Sequence, residues 1–424
     1  MPKYFGGSNP EISDNILENI LRDVDNRTLR LILPQVSKCW QLIMKSEQFH
    51  QNILMAILKR ITFLRFNRLE DKIEIISSGY TNTNYKIFKV DVCYVLRVPI
   101  MKNHILIDRS DERYNSIIAY ELGLGAELMY YEKSTGIMVT KYINNRCCLE
   151  KQQLTDNGIL RLVSNTIKKL HTTSEKILGN WVIFNKISDL YGFIIKNSSF
   201  YNKETVEWLM HETNRVKHCV DKLNIKLCPC HNDLSPNNFL CVENNIKIID
   251  WEFSGNNDPI WDLAFLSTVS DLSSADENIL LFAYFGEKPA DVEYHRFLLY
   301  KPIALFWIGL LSLLQIYNCN ERLGRHWLAQ IAESKFNEAK TLFRLSIELV
   351  DNLEQAGKSE EAFRDTSRCL ISDPTIPPSM LLVGMQRMYI DRQKLGSTNE
   401  LKQAVLHLDE ESVKSKKPLS NESL

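Results

Sequence analysis

The stretch HNDLSPNNFL, residues 231–240, together with IIDWEF, residues 248–253, decides the fold class of this chain. Here Asp233 is followed five residues later by Asn238, and Asp250 stands at the end of a predicted strand. Phosphoryl transfer from ATP needs a carboxylate that orients or deprotonates the acceptor hydroxyl, and hard oxygen ligands that hold Mg²⁺. We interpret Asp233 as the base and Asn238 and Asp250 as the metal ligands. The alternative is a chance loop in which Asp250 caps a helix.

The residues around this loop predict short strands and structural histidines. Residues 238–242 and 246–249 read as two strands joined by a polar turn. We interpret His231 as bracing the loop rather than as an acid or base. His171, a lone histidine on a predicted helix, is interpreted as a packing residue.

The upstream half of the chain predicts a small mixed sheet with one helix. Strands are expected where apolar and polar residues alternate and β-branched residues are frequent, at residues 73–77, 85–90, 93–98, 127–131 and 136–142. Residues 108–122 read as a helix, and residues 150–345 read as mostly helical.

The loop and the segment after it resemble the aminoglycoside-phosphotransferase and choline/ethanolamine-kinase superfamily, whose fold is related to protein kinases. The sequences HND and IDWE, continued by NDP at 257–259 and DLA at 262–264, are similar to the choline-kinase branch. The resemblance implies an α+β, bilobal protein-kinase-like fold, with a small β-rich lobe at 62–145 and a helical lobe at 146–345. It also implies ATP and Mg²⁺ as cofactors and a small-molecule acceptor.

The same resemblance supplies candidate nucleotide contacts. Residues 78–85, SGYTNTNY, stand between two predicted strands, where a glycine allows close backbone approach and small polar residues offer donors. This loop is an expected phosphate-covering hairpin, or else an ordinary polar turn. Arg97 lies on an apolar strand, where a buried cation is costly unless it is paired. The resemblance makes Glu112 its partner, the alternative being two solvated surface residues. The expected nucleotide-binding set is Gly79, Thr81, Asn82, Asn84, Arg97 and Glu112.

The resemblance is less complete at the acceptor site. A quaternary ammonium group favours aromatic rings and carboxylates, and bacterial members of the family carry two tryptophans three residues apart on a late helix. Trp307 matches the first of these, but Leu310 stands at the second. Trp251, Glu252, Trp261 and Trp307 are the candidate pocket residues, and Trp261 and Trp307 are equally compatible with the core.

An unrelated pattern occupies the N-terminal region, residues 8–58. Its apolar spacing resembles an F-box, the helical module that docks on the adaptor subunit of cullin-type ubiquitin ligases; the alternative is a plain helical cap. The matching apolar positions are Pro10, Ile16, Leu17, Leu21, Val36 and Trp40. At the other end, residues 346–396 are expected to form a helical extension, and residues 397–424 a disordered tail.

Bulk properties exclude several classes. A net charge of −1 gives no electrostatic case for nucleic acid or an anionic membrane. The most apolar stretch, residues 303–316, falls short of the roughly 20 residues that span a bilayer, so we expect a buried helix and no transmembrane segment. Ten scattered cysteines are typical of a reduced compartment. We therefore expect a cytoplasmic protein, or one in a host cytoplasm if it is a secreted bacterial effector.

Three functions fit these patterns. The first is an active small-molecule kinase of the choline/ethanolamine type. The second is an F-box adaptor that uses a kinase-like fold only for binding, which a degenerate catalytic loop would favour. The third is an enzyme tethered to a ubiquitin ligase. The catalytic positions Asp233, Asn238 and Asp250 are all filled, which favours an enzyme.

Overall fold

The chain divides into two compact units in this computed structural model. Part of it is described: residues 54, 57, 58, 60, 61 and 64, and residues 72–356 except 79–81, 90–91, 100–105, 145, 200, 224 and 319–321. The first unit takes residues up to Ile100 together with Met129–Tyr142. The second takes Met101–Leu128 and the chain from Ile143 onward.

The first unit contains a five-stranded sheet in the order β1-β2-β3-β5-β4. The strands are β1 Lys72–Ser78, β2 Asn82–Phe88, β3 Cys93–Pro99, β4 Leu128–Glu132 and β5 Ile137–Lys141. The pairs β1–β2, β2–β3 and β3–β5 are antiparallel. All five strands were predicted from the sequence, with bounds that differ by a few residues.

One face of this sheet forms a small core. Because successive side chains on a strand point to opposite faces, alternate residues are buried. The buried apolar side chains come from three strands and from the chain before the sheet, and they are Leu54, Ile57, Leu58, Ile61, Leu64, Tyr85, Ile87, Leu96, Ile137 and Val139. The other face of β2 and β3 is thereby available for polar side chains.

The second unit is mainly helical, as the sequence predicted for residues 150–345. Its helices are α1 Arg109–Glu121, α2 Asn157–His171, α3 Ile183–Asn197, α4 Lys203–Asp221, α5 Pro259–Ser270, α6 Ser274–Phe285, α7 Asp291–Asn318 and α8 Arg322–Ala356. Side-chain caps begin several of them. Asp108, for example, accepts hydrogen bonds from the Ser110 and Asp111 N–H groups and so begins α1.

The helix α7 carries the apolar stretch that the sequence predicted as a buried helix. By length and composition alone this helix could span a membrane, but 78% of its most apolar window is buried within the protein. Its residues Phe297, Tyr300, Phe306 and Trp307 lie in the main hydrophobic core. The burial therefore agrees with a core helix.

Two small sheets position the catalytic loop. The strands β6 Arg146–Cys148, β8 Phe239–Val242 and β9 Asn245–Ile248 form one of them, and β7 Cys228–Cys230 pairs with β10 Gly255–Asn257 in the other. The predicted strands at 238–242 and 246–249 are thus present as β8 and β9. The loop of residues 231–238 connects β7 to β8, so both of its ends are fixed by hydrogen-bonded strands.

Two expected boundaries fall differently in the structure. Helix α1 lies in the second unit, although the sequence assigned it to the small β-rich lobe, because it contacts the segment that follows β9. Helix α8 runs through the expected boundary between residues 345 and 346. The F-box-like pattern up to residue 53 and everything after residue 356 lie outside the described residues.

Candidate active site

The catalytic loop holds Asp233 by means of Asn238. The Asn238 Nδ2 amide donates to the backbone oxygen of Asp233 at 2.8 Å and to its carboxylate Oδ2 at 3.3 Å. Asn238 itself is fixed by the Ile249 N–H, which donates to its backbone oxygen at 2.9 Å. Since the amide nitrogen is used on Asp233, the Asn238 amide oxygen is the atom that a metal ion would take.

His231 is a structural residue, as the sequence indicated. Its Nε2 lies 3.0 Å from the Ile249 carbonyl oxygen, and its Nδ1 lies 3.3 Å from the Asp233 N–H. A carbonyl accepts and an N–H donates, so these contacts select the neutral Nε2–H tautomer. Burial lowers the pKa of His231, which also favours the neutral ring. Both ring nitrogens are engaged by the backbone, which leaves neither for proton transfer to a substrate.

Asp262, on α5, anchors the start of the loop. Its buried carboxylate accepts hydrogen bonds from the His231 N–H at 2.9 Å and the Asn232 N–H at 2.7 Å. The His171 Nε2 lies 3.0 Å from the same carboxylate, and His171 Nδ1 lies 2.8 Å from the Tyr284 hydroxyl. The prediction that His171 is a packing residue is therefore confirmed. Asp262 converts helix α5 into a support for the catalytic loop.

Asn232 adds a second set of supports. It has a positive φ of 69°, a left-handed conformation that asparagine tolerates better than most residues. Its amide donates to the backbone oxygens of Phe253 at 2.9 Å and Gly255 at 3.3 Å. The Trp261 indole donates to the Asn232 carbonyl at 3.2 Å. The loop and the segment that follows Asp250 are thus tied to each other directly.

Asp250 belongs to a cluster of three carboxylates in the second unit. It follows β9 with a φ of 68°, and oxygen atoms of Glu112, Asp250 and Glu252 lie within 4.8 Å of one another. Glu112 and Glu252 are buried. The sequence predicted Asp250 as a metal ligand, Glu112 as a nucleotide-site residue and Glu252 as a pocket residue. Only the fold shows that their oxygens converge on one place.

Arg109 completes this cluster. The Arg109 Nη1 is 2.7 Å from Glu112 Oε2 and 3.6 Å from Glu252 Oε2, although Arg109 and Glu252 are far apart in sequence. The sequence assigned Glu112 to Arg97, but these two residues lie in different units, so that pair stays a prediction. What the second unit shows is that Glu112 is bound by Arg109 from its own helix.

The electrostatics of the cluster extend to Asp233. Burial, followed by the negative charges of Asp250 and Glu252, raises the pKa of Asp233 well above its usual range. A higher pKa makes a carboxylate a stronger base, which suits proton removal from an alcohol. A divalent cation held by Asp250 would act in the opposite direction.

The described residues of the first unit that the sequence predicts to bind the nucleotide share one face of the sheet. Asn84 on β2 is directly opposite Arg97 on β3, and Asn82 is two residues before Asn84. Since residues i and i+2 and cross-strand pairs point to the same side, all three project from the face opposite the small core. Arg97 is 4% exposed, and its Nη2 is 3.5 Å from the Gly136 carbonyl. Gly79 and Thr81 lie outside the described residues.

The predicted acceptor tryptophans are mainly structural. Trp261 is fully buried, and its indole N–H is used on the catalytic loop. Trp251 donates to the Ile248 carbonyl at 3.0 Å and packs edge-on against His231. Trp307 is 1% exposed. The burial of Trp261 and Trp307 agrees with the alternative that they are core residues, and their assignment to the acceptor pocket stays a prediction. Leu310, at the second tryptophan position, is buried as well.

Sequence reasoning missed Trp181, which precedes α3. Its ring packs edge-on against Trp307, at 5.4 Å between centroids, and at a tilt of 57° against Phe253, at 5.7 Å. Its buried Nε1 has no acceptor among the described residues. No motif surrounds Trp181, so only its contact with Phe253 places it beside the Trp251–Phe253 turn.

The donor set suits Mg²⁺. Carboxylate oxygens of Asp250, Glu252 and Glu112 lie close together, and such oxygens are hard ligands of the kind that this ion prefers. The amide oxygen of Asn238, a ligand predicted from the sequence, is of the same hard type. A second cluster, formed by His171, Cys230 and Asp262, is different, because the His171 nitrogens and the Asp262 oxygens already make hydrogen bonds within the protein. The first cluster is therefore the candidate metal site.

A β-rich unit and a helical unit with an Asp–Asn catalytic loop define the class of protein-kinase-like phosphotransferases. The family model for choline/ethanolamine kinase matches residues 73–274. Protein LicA of Haemophilus influenzae is 31% identical over 225 residues, which are 51% of this chain and 63% of LicA. Protein LicA of H. influenzae strain Rd is 30% identical over 223 residues, 51% of this chain and 79% of that protein.

Solved structures agree on the fold. A choline/ethanolamine kinase family protein from Mesorhizobium loti superposes with a TM-score of 0.59 at 24% identity, covering 69% of this chain and 94% of that protein. The chain belongs to the choline/ethanolamine kinase family.

Proposed function

We propose that this protein is a Mg²⁺-dependent phosphotransferase that moves the γ-phosphoryl group of ATP to the hydroxyl of a small amino alcohol such as choline or ethanolamine. The observation that carries the proposal is the intact catalytic arrangement. Asp233 is oriented by Asn238, and the oxygen cluster of Glu112, Asp250 and Glu252 lies in the same unit. Membership of the choline/ethanolamine kinase family supports the substrate class.

Asp233 acts on the acceptor in this proposal. Its carboxylate takes the hydroxyl proton as the acceptor oxygen bonds to the transferred phosphorus and ADP leaves. The Asn238 amide, by donating to both the backbone and the carboxylate of Asp233, restricts the rotation of that side chain. Asp262 and Asn232 keep the loop in place through contacts made before any substrate binds.

Asp250 and Asn238 would hold Mg²⁺, with Glu252 and Glu112 beside them. When bound, this ion neutralises charge on the phosphates. The residues of the first unit that share a sheet face, Asn82, Asn84 and Arg97, are proposed to bind the nucleotide, with Arg97 facing phosphate.

The acceptor site is proposed to lie near Glu252 and the Trp251–Phe253 turn. A carboxylate attracts a quaternary or primary ammonium group, and aromatic faces add cation–π attraction. Phe253 of this turn and Trp181, which packs against it, are the aromatic rings proposed for this role, although both are buried in this structure. Because Trp307 packs against both of these rings, it would support them rather than touch the ligand.

The test is a turnover assay of the purified chain with MgATP and a panel of choline, ethanolamine, other small alcohols and aminoglycosides. ADP release that depends on choline or ethanolamine supports the proposal, and ADP release with another acceptor alone overturns the substrate class. The variant Asp233→Asn should lower kcat by at least about 100-fold, as expected for loss of a general base, with ATP affinity nearly unchanged. The control for Asp233→Asn is Asp221→Asn, the same substitution at an exposed residue. Similar turnover in both variants would remove Asp233 from the role of base.

We further propose, on the residue pattern alone, that residues 8–58 tether the enzyme to the adaptor of a ubiquitin ligase. The changes Leu17→Asp and Leu21→Asp together should abolish adaptor capture in a pull-down and leave turnover intact. If the wild-type chain captures no adaptor, the tether is refuted. The adaptor-only alternative requires the wild-type chain to bind the adaptor without transferring phosphate to any acceptor.

A further inference from the structure

Arg109 is a cation placed inside the carboxylate cluster by the start of helix α1. It is the first residue of that helix, directly after the capping residue Asp108, and its side chain is 12% exposed. Its guanidinium reaches Glu112 at 2.7 Å and Glu252 at 3.6 Å. Arg109 therefore bridges a helix carboxylate and the carboxylate two residues after Asp250.

The position of helix α1 is fixed independently of this bridge. One turn beyond Glu112, the buried Asn115 amide donates to the Leu178 carbonyl at 3.1 Å and to the Ser254 hydroxyl at 3.1 Å, and its oxygen accepts from the Leu178 N–H at 2.8 Å. These contacts join α1 to the segment after Asp250. The start of α1, and with it the backbone of Arg109, is thus held beside the cluster by contacts other than the ion pairs of Arg109.

Carboxylates that share a poorly solvated site repel one another, and each like-charged neighbour disfavours the ionised form. A guanidinium in contact with two of them lowers this cost. Removing Arg109 takes one positive charge from the cluster, whatever else the carboxylates contact. A divalent cation would compensate the same negative charge, so Arg109 and Mg²⁺ act on the same oxygens.

We propose that Arg109 is a built-in counter-cation that suppresses binding of free Mg²⁺ to the nucleotide-free protein, so that the metal enters together with the nucleotide phosphates. The inference rests on the proposed function only in assigning this cluster to Mg²⁺. Arg109 is then a positioning residue. It keeps Glu112 and Glu252 in place until a more highly charged cation arrives.

The test measures binding of Mn²⁺, a paramagnetic substitute for Mg²⁺, to the nucleotide-free full chain by electron paramagnetic resonance. The wild-type protein should bind Mn²⁺ weakly, and Arg109→Met should bind it at least tenfold more tightly. Arg109→Lys keeps the charge and should stay close to wild type. The matched control is Arg113→Met, one turn along the same helix but exposed. Equal Mn²⁺ affinity in wild type and Arg109→Met overturns the proposal.

A second readout is thermal stability. In EDTA the melting temperature of Arg109→Met should lie below that of wild type, and millimolar Mg²⁺ should restore it, whereas wild type and Arg113→Met should hardly respond. An Arg109→Met protein that is insensitive to Mg²⁺ refutes the counter-cation role. If that variant does not fold, the double change Arg109→Met with Glu252→Gln removes one charge of each sign. It should fold and bind Mn²⁺ as weakly as wild type, and tight binding by it would overturn the proposal.

Neither readout requires phosphoryl transfer. If no acceptor is phosphorylated, the Mn²⁺ affinities still decide the role of Arg109. If Arg109 has no effect on metal affinity, turnover with choline or ethanolamine still decides the proposed function.

Discussion

The replacement Asp262→Asn tests how much of the active site is held by a residue that never meets substrate. The Asp262 carboxylate is fully buried and accepts from two backbone N–H groups at the start of the catalytic loop, with His171 at 3.0 Å. An asparagine has one acceptor oxygen and one NH₂ donor. Whichever way the amide turns, its nitrogen faces at least one N–H that previously had a partner.

The expected cost follows from the hydrogen bonds that the amide cannot make. A hydrogen bond to a charged group contributes about 1.5–3 kcal/mol, and a buried unsatisfied donor costs a similar amount. If one or two of these hydrogen bonds are broken, the free energy of unfolding should fall by about 2–6 kcal/mol on the same scale. That is a large share of the roughly 5–15 kcal/mol typical of a domain.

Activity should fall as well, because the loop that carries Asp233 begins at the two N–H groups that Asp262 holds. A displacement of about 1 Å in a catalytic group can reduce turnover by about 100-fold. Urea denaturation followed by far-ultraviolet circular dichroism gives the stability, and the MgATP assay gives kcat.

The control is Asp271→Asn, at the other end of the same helix. Asp271 is exposed, pairs with Lys151, and has a positive φ of 53°, which asparagine accepts readily. The free energy of unfolding of Asp271→Asn should stay within about 1 kcal/mol of that of wild type, since surface ion pairs contribute little. If Asp262→Asn is no more destabilising than this control, the anchoring role of Asp262 is refuted.

Three further outcomes are expected. In native protein at pH 8, iodoacetamide should label exposed Cys148 much faster than Cys230, because burial raises the pKa of the Cys230 thiol and blocks access; equal labelling by mass spectrometry would contradict this. Gly309→Ala should destabilise the protein by about 1–3 kcal/mol in urea denaturation, because the added methyl group overlaps a buried phenylalanine ring. Gly192→Ala, where the methyl group meets open space, should not destabilise it, and equal effects of the two changes would refute the packing argument. Burial lowers the pKa of His295, so below about pH 6.5 the unfolded state binds more protons than the folded state. Acid should therefore reduce the stability of wild type relative to His295→Asn, by up to about 1.4 kcal/mol per pH unit. A stability difference between the two proteins that stays constant from about pH 7.5 to about pH 5.5 would contradict this.

The sequence alone determined the local chemistry of the catalytic loop. The spacing of Asp233, Asn238 and Asp250 places an acid, an amide and a second acid around two short strands. The structure confirms those strands and adds the contact between Asn238 and Asp233. The interpretation of His231 as a brace for the loop was also made from the sequence, and its ring nitrogens contact the backbone of Ile249 and Asp233. Such features are readable since all the interacting groups lie within about 20 residues.

The strands of the first unit were equally readable from alternation, and register then placed Asn82, Asn84 and Arg97 on one face. Whether the tryptophans lie in a pocket or in the core could not be predicted from the sequence. Composition identifies an aromatic residue but not whether its ring faces a pocket or the core, and burial assigned Trp261 to the core. The F-box-like pattern remains a prediction from the sequence.

Only the tertiary structure decided what surrounds the loop. Asp262 supports His231 from a helix about 30 residues later, and Arg109 meets Glu252 from more than 140 residues earlier. The contacts of Asn115 with the segment after Asp250 bring Glu112 close to Asp250, the predicted metal ligand. No local period or motif encodes these contacts. They arise when separate helices pack on one core and bring side chains that are distant in sequence within a few ångströms of one another.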